Sequence, residues 1–107
     1  MSENFVLPPH IVESLMKVAR EKRPDIALVK LMHDYLNLKL ESIELKLKEF
    51  RKKYGMSFEE FKRACEEGSL GKDPYSYEVE KDYREWEGLI TLKRYYEELR
   101  REWSTGM

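Results

Sequence analysis

Residues 26–54 run for more than two dozen positions without a single proline or glycine, and Gly55 then supplies a natural left-handed stop. At 1.5 Å per residue such a helix reaches roughly 45 Å, longer than a small globular domain is wide. A chain of 107 residues built around it has room for one compact domain, or a small head with a helical arm. The two halves of this helix differ. Ile26, Leu28, Val29, Leu31, Met32, Tyr35, Leu36, Leu38 and Leu40 make the first half apolar nearly all round, which requires burial on several sides. Beyond it the apolar set narrows to Ile43, Leu47, Phe50 and Tyr54, spaced 4, 3 and 4, a coiled-coil-like seam with a solvated back.

Helical patterning extends over the rest of the chain. Residues 2–7 can form a short strand, stopped by Pro8-Pro9. A first helix is expected from about His10 to Lys22 with Ile11, Leu15, Val18 and Ala19 as its stripe; Pro24 breaks it and Asp25 can cap the long helix. Ser57-Phe58-Glu59-Glu60 is a capping box opening a short helix that ends at Gly68. A loop with Gly68, Gly71 and Pro74 leads to a last helix from about Tyr77 to Trp103. Its seam reads Val79, Tyr83, Trp86, Leu89/Ile90, Leu92, Tyr96, Leu99 and Trp103. This seam matches the narrow half of the long helix in length and spacing, so the two are expected to pair as an antiparallel hairpin with the short helix at the turn. The expected fold class is therefore all-α, with a short N-terminal strand preceding the helices. Exposed faces are expected to carry i, i+4 pairs Glu13/Lys17, Glu44/Lys48, Glu49/Lys53, Glu59/Arg63, Glu80/Arg84 and Glu97/Arg101, each worth about 0.2–0.5 kcal/mol.

Composition narrows the function classes. Charged residues make up 38% of the chain, yet 20 basic against 21 acidic groups leave a net charge of −1, so no overall imbalance marks a nucleic-acid or membrane binder. Glutamine is absent and asparagine occurs only at Asn4 and Asn37, with Lys, Arg and Glu filling the polar positions, a composition expected of a thermophilic source. One cysteine excludes an internal disulfide framework and a Cys-based zinc site. No apolar run approaches ~18 residues, and MSENFVLPP has neither a basic flank nor an apolar signal core, so a cytoplasmic location and no membrane association are expected.

The residues that could carry chemistry do not assemble into a site. His10 and His33 fall on different helices, and Asp34 points about 100° away from His33, too far round to orient it. Cys65 has Glu66 and Glu67 beside it, which disfavour a thiolate. Glu78, Asp82 and Glu85 share a helical face that a hard cation could use, but Lys81 and Arg84 interleave with them and no Glu-x-x-His element faces them. A solvated, salt-bridged acidic face is expected there. No catalytic residue, metal ligand or cofactor is assigned, and an enzyme is not expected.

Large rings are concentrated in the last third, at Tyr75, Tyr77, Tyr83, Trp86, Tyr95, Tyr96 and Trp103. Tyr83, Trp86 and Tyr96 fit the seam. Tyr95 falls off it and Trp103 lies where the partner helix has run out, so Tyr95 and Trp103 are expected to bind a partner. Burial also points to association. Leaving Leu28, Leu31, Tyr35 and Leu38 wet forfeits about 1.5–3 kcal/mol each, and a twofold dimer is the simplest cover.

Two segments carry a resemblance. Tyr54-Gly55-Met56-Ser57-Phe58-Glu59-Glu60-Phe61 followed by Tyr77-Glu78-Val79-Glu80-Lys81-Asp82-Tyr83-Arg84-Glu85-Trp86-Glu87 is similar to a module of small archaeal and cyanobacterial antitoxin-like proteins, whose genes usually lie beside a gene read as that of a toxin. The likeness covers about residues 43–100. The amino-terminal part, with Phe5-Val6-Leu7-Pro8 as strand end, residues 10–22 as first helix and 25–40 as second, resembles a ribbon-helix-helix domain. That resemblance implies a homodimerisation region over residues 1–42, with Phe5, Leu7, Leu28, Leu31, Met32, Tyr35, Leu36 and Leu38 at the dimer interface. Residues 43–107 then form a helical hairpin acting as the partner-binding arm. A cognate toxin is the implied partner. Ribbon-helix-helix proteins that bind DNA read bases from the outward strand face, here Ser2, Asn4 and Val6; none is cationic, and Asn4 is the one evident base reader. Residues 1–55 carry +3 and residues 56–107 carry −4, so the arm has the sign that suits a basic ribonuclease toxin. The alternatives are a DNA-binding regulator of ribbon-helix-helix type and a self-associating coiled coil with no other partner.

Overall fold

The computed structural model describes residues 6–105, and these form four helices with no strand among them. Of the strand expected over residues 2–7, residues 2–5 lie outside the described residues, and Val6 and Leu7 are irregular.

Helix α1 (Pro9–Ala19) starts on a proline, whose fixed φ suits the first helical position and whose missing N–H costs nothing there. It ends three residues before the expected Lys22. Arg20 takes the left-handed conformation (φ 56°, ψ 47°), and its N–H and that of Glu21 close onto the carbonyls of Lys17 and Met16. This is a Schellman stop made with a non-glycine residue. Helix α2 (Pro24–Tyr54) follows after a short turn. Asp25 does not cap it: Arg23 occupies the cap position and binds the Asp25 carboxylate at 2.6 Å. Gly55 (φ 67°) ends α2 as expected, its N–H donating to the Arg51 carbonyl at 2.8 Å.

Ser57 and Glu60 form the full capping box at the start of α3 (Phe58–Glu67). The Glu60 N–H donates to Ser57 Oγ at 3.2 Å, and the Ser57 N–H donates to Glu60 Oε1 at 2.9 Å. Ser57→Ala is expected to lower global stability by about 1 kcal/mol, read as an earlier denaturant midpoint with an unchanged slope. Gly68 (φ 72°) closes α3. Helix α4 (Tyr77–Thr105) is capped by Ser76, whose Oγ accepts the Val79 N–H at 3.3 Å.

α2 and α4 run antiparallel along most of their lengths, as their matched seams require. Polar bonds mark the register from one end to the other: Lys53 with Asp82 at 2.6 Å, Glu44 with Lys93 at 3.3 Å, and Asn37 with Arg100 at 3.0 Å. α3 caps the Tyr54 end of this hairpin, and α1 folds back on the first turns of α2, where Ala19 and Ala27 are buried. The core holds Ile43, Leu47, Phe61, Val79 and Trp86. The result is a rod of 59 × 29 × 24 Å.

Three expectations about packing are corrected. The first half of α2 is not covered on several sides: Ala27, Leu36 and Leu40 are buried, whereas Leu28, Tyr35 and Leu38 are exposed. Leu92 is exposed, because the next residue, Lys93, turns inward to reach Glu44. Two of the expected i, i+4 pairs, Glu44/Lys48 and Glu49/Lys53, give way to longer reaches. Glu44 binds Arg51 and Lys93, and Lys53 binds Asp82 on the facing helix.

Candidate partner-binding surface

α4 turns its Val79–Tyr83–Trp86–Ile90 side toward α2 and α3 and leaves its opposite side bare. Two shallow, open depressions of about 490 Å³ and 580 Å³ lie along that side. The first is walled by Cys65 of α3, Pro74 and Tyr75 of the loop, and Tyr83 and Arg84 of α4. The second runs on from Arg84 past Gly88 and Leu92 to Tyr95. Arg84 borders both, so the two make one continuous groove. Gly88 sits in the middle of α4, where glycine costs about 1 kcal/mol relative to alanine. A Cβ there meets nothing within 4 Å, so nothing inside the chain calls for the glycine. Its absent side chain instead leaves a notch in the groove floor.

Aromatic rings stand along the groove. Tyr75 and Tyr95 are exposed, the latter by 56%, and the Tyr95 ring lies 5.7 Å from that of Tyr96. Burial pushes the Cys65 thiol up, with the Glu66 carboxylate adding to the effect, so Cys65 is a poor nucleophile at neutral pH. Burial likewise raises the Tyr83 hydroxyl.

On the inward face of α4 a polar cluster stands where a solvated acidic face is expected. Asp82 is buried at the α2–α4 contact, where Lys53 Nζ donates to Oδ2 at 2.6 Å and the Tyr54 hydroxyl donates to the same oxygen at 2.5 Å. Burial alone would lift the Asp82 carboxyl, but the two hydrogen bonds and the Lys53 charge outweigh it and hold the group below its ordinary value. The same contact raises Lys53, through its hydrogen bond to Asp82, and burial with the Asp82 bond drives the Tyr54 hydroxyl far up. Glu78 stays at the exposed edge with Lys72 at 3.3 Å and Lys53 at 3.8 Å. Glu78, Asp82 and Glu85 therefore do not form an acidic patch, and no group of three His, Cys, Asp or Glu among the described residues could hold a metal ion. The signal was present in the spacing, since Asp82 falls between Val79 and Trp86 on the inward face.

The other residues singled out from the sequence are dispersed. Trp103 is half-buried, one turn beyond the Arg100–Asn37 bond, and does not join Tyr95 in the groove. Leu36 is fully buried within the chain and offers no surface to a dimer partner; Leu7, Leu31 and Met32 are half-buried, and Leu28, Tyr35 and Leu38 are exposed. Phe5 and Asn4 lie outside the described residues. His33 is half-buried and makes no hydrogen bond to Asp34. Among the described residues no helix is long and apolar enough to cross a membrane. No protein-family model, curated protein or solved structure matches the chain.

Proposed function

We propose that this chain is an antitoxin-like interaction protein: it self-associates through its amino-terminal half and binds a cognate toxin protein through the outer face of α4. One observation carries the reading. α2 and α4 each keep an apolar outer face that nothing among the described residues covers, while the buried carboxylate is fully partnered and tied to structure. Exposed aromatic and aliphatic residues around a notch are the ingredients of a binding hot spot: Tyr95 and Leu92 supply area, Gly88 supplies close approach, and Arg84 supplies a charged anchor. The −4 charge of residues 56–107 favours a basic partner, and the antitoxin-like pattern of residues 43–100 suggests its class.

The test is co-purification of this chain with the product of the adjacent gene, followed by substitution within the intact chain. Tyr95→Ala is expected to weaken the complex by about 2 kcal/mol, roughly thirtyfold. Gly88→Arg, which fills the notch from an exposed position, is expected to abolish the complex without lowering helicity. Two proteins that elute separately, or a complex indifferent to both substitutions, contradict the reading.

A further inference from the structure

The bare face of α2 has an order that apolar counting does not reveal. Leu28, Leu31, Tyr35, Leu38, Ser42 and Leu45 follow one another at steps of 3, 4, 3, 4 and 3, an unbroken a/d heptad seam. It is distinct from the inner seam of Leu36, Leu40, Ile43, Leu47, Phe50 and Tyr54, which is buried or half-buried. At 3.6 residues per turn the two seams lie roughly 140° apart around the helix. Leu31 on the outer seam is half-buried, but Leu28 is 40% exposed, Tyr35 51%, Leu38 65% and Leu45 65%.

The residues flanking this seam select its occupant. Asp34 and Glu41 hold two of the three g positions and Lys39 and Lys46 two of the three e positions, with Ala27 and Met32 making the remaining, uncharged g and e positions. All four charged residues are exposed, and none has an ion-pair partner among the described residues; the Lys39 ammonium only lies over the Tyr35 ring, at 5.6 Å. In a parallel, in-register pair of such helices each g residue meets the e residue five positions further along the other strand. Asp34 then faces Lys39 of the second copy, and Glu41 faces Lys46 of the second copy, with the same pairs repeated by the twofold axis. An antiparallel pair sets g against g and e against e, acid to acid and lysine to lysine. Leucine holds all three d positions (Leu31, Leu38, Leu45), as in two-stranded coiled coils, while the a positions are Leu28, Tyr35 and Ser42 in place of β-branched residues, so the flanking charges set the alignment.

We infer that a second copy of this chain docks on the Leu28–Leu45 face of α2, parallel and in register, as a two-stranded coiled coil; the inference rests on the proposed self-association and specifies its geometry. The seam is about 27 Å long, and it leaves the α4 groove free on each copy. The geometry differs from that of a ribbon-helix-helix dimer, in which the strands provide the pairing.

The test uses the full chain with Cys65→Ser, to remove the native thiol, and Ser42→Cys, to place a thiol at an a position. A parallel in-register dimer brings the two introduced thiols within disulfide reach, and mild oxidation is expected to give a covalent dimer; an antiparallel dimer centred on the seam separates them by roughly 16 Å and gives none. In a second arm, Asp34→Lys with Glu41→Lys is expected to yield a helical monomer, with helicity verified by circular dichroism. Mixing it with a Lys39→Glu, Lys46→Glu chain is expected to restore a dimer. A parent chain that stays monomeric across a concentration series overturns self-association itself. A dimer that does not cross-link through residue 42 overturns the parallel arrangement and leaves self-association standing. A dimer indifferent to the charge reversal contradicts the pairing of flanking residues.

Discussion

Trp86→Ala is expected to cost the protein about 3–5 kcal/mol, a fifth or more of the stability available to a domain of ordinary marginal stability. Trp86 is 1% exposed and sits where three helices meet. Its ring lies 5.0 Å from Phe61, 5.4 Å from both Phe50 and Phe58, and 6.0 Å from Tyr54. Truncation leaves a void lined by large rigid rings that cannot close over it, so the lost transfer energy and the cavity add together. Trp86→Phe keeps most of the area and is expected to cost clearly less. Urea unfolding followed by circular dichroism decides the matter. A loss below about 1 kcal/mol for the alanine variant would mean that α3 and α4 do not meet on this ring.

Asp82→Ala is expected to cost about 2 kcal/mol at neutral pH. The substitution leaves the half-buried Tyr54 hydroxyl without its acceptor, while the more exposed Lys53 ammonium can turn to water. Lys53→Met is expected to cost less, because Tyr54 still satisfies Asp82. The effect has a defined pH dependence. The Asp82 carboxyl is held below its ordinary value of 3.8 in the folded chain, so folding favours the carboxylate. Its stabilising contribution is full above the unfolded value and disappears as pH falls through the lower folded one. Lys53, raised in the folded chain, keeps its charge throughout that window. The stability gap between the parent and Asp82→Asn is therefore expected to be flat from about pH 5 to 8 and to shrink below about pH 4. A gap that widens on acidification contradicts the assigned network.

Features set by local spacing were legible in the sequence. The Ser57/Glu60 capping box, the glycine stops at Gly55 and Gly68, and the matched seams of α2 and α4 depend on residues within a turn or two of one another. What the sequence hid depends on distant chain. The spacing sets Asp82 on the inward face of α4, but the partners that hold it there, Lys53 and Tyr54, arrive from α2. The early stop at Arg20 uses a residue with no left-handed preference, held by the Schellman bonds between two packed helices. The spacing puts Leu92 on the α4 seam, but the facing Glu44 draws Lys93 inward and Leu92 outward. In the sequence the apolar residues around the first half of α2 form one undivided mass. Only with α4 in place do they separate into an inner seam that the chain fills and an outer seam that it leaves bare. Of the residues lining the proposed binding groove, Tyr95 is legible because it falls off the seam. Gly88 and Arg84 gave no such signal, since a mid-helix glycine acquires meaning only once the space above it is seen to be open.

The central claim is that this chain keeps more apolar helix surface than it covers and hides the remainder against a second polypeptide. The most direct measurement is the light-scattering mass of the purified protein across a concentration series. A species of twice 12.9 kDa is expected, persisting on dilution until the coiled coil dissociates. A well-folded species of single-chain mass at every concentration, with Leu28, Tyr35, Leu38 and Leu45 left in water, would contradict that claim.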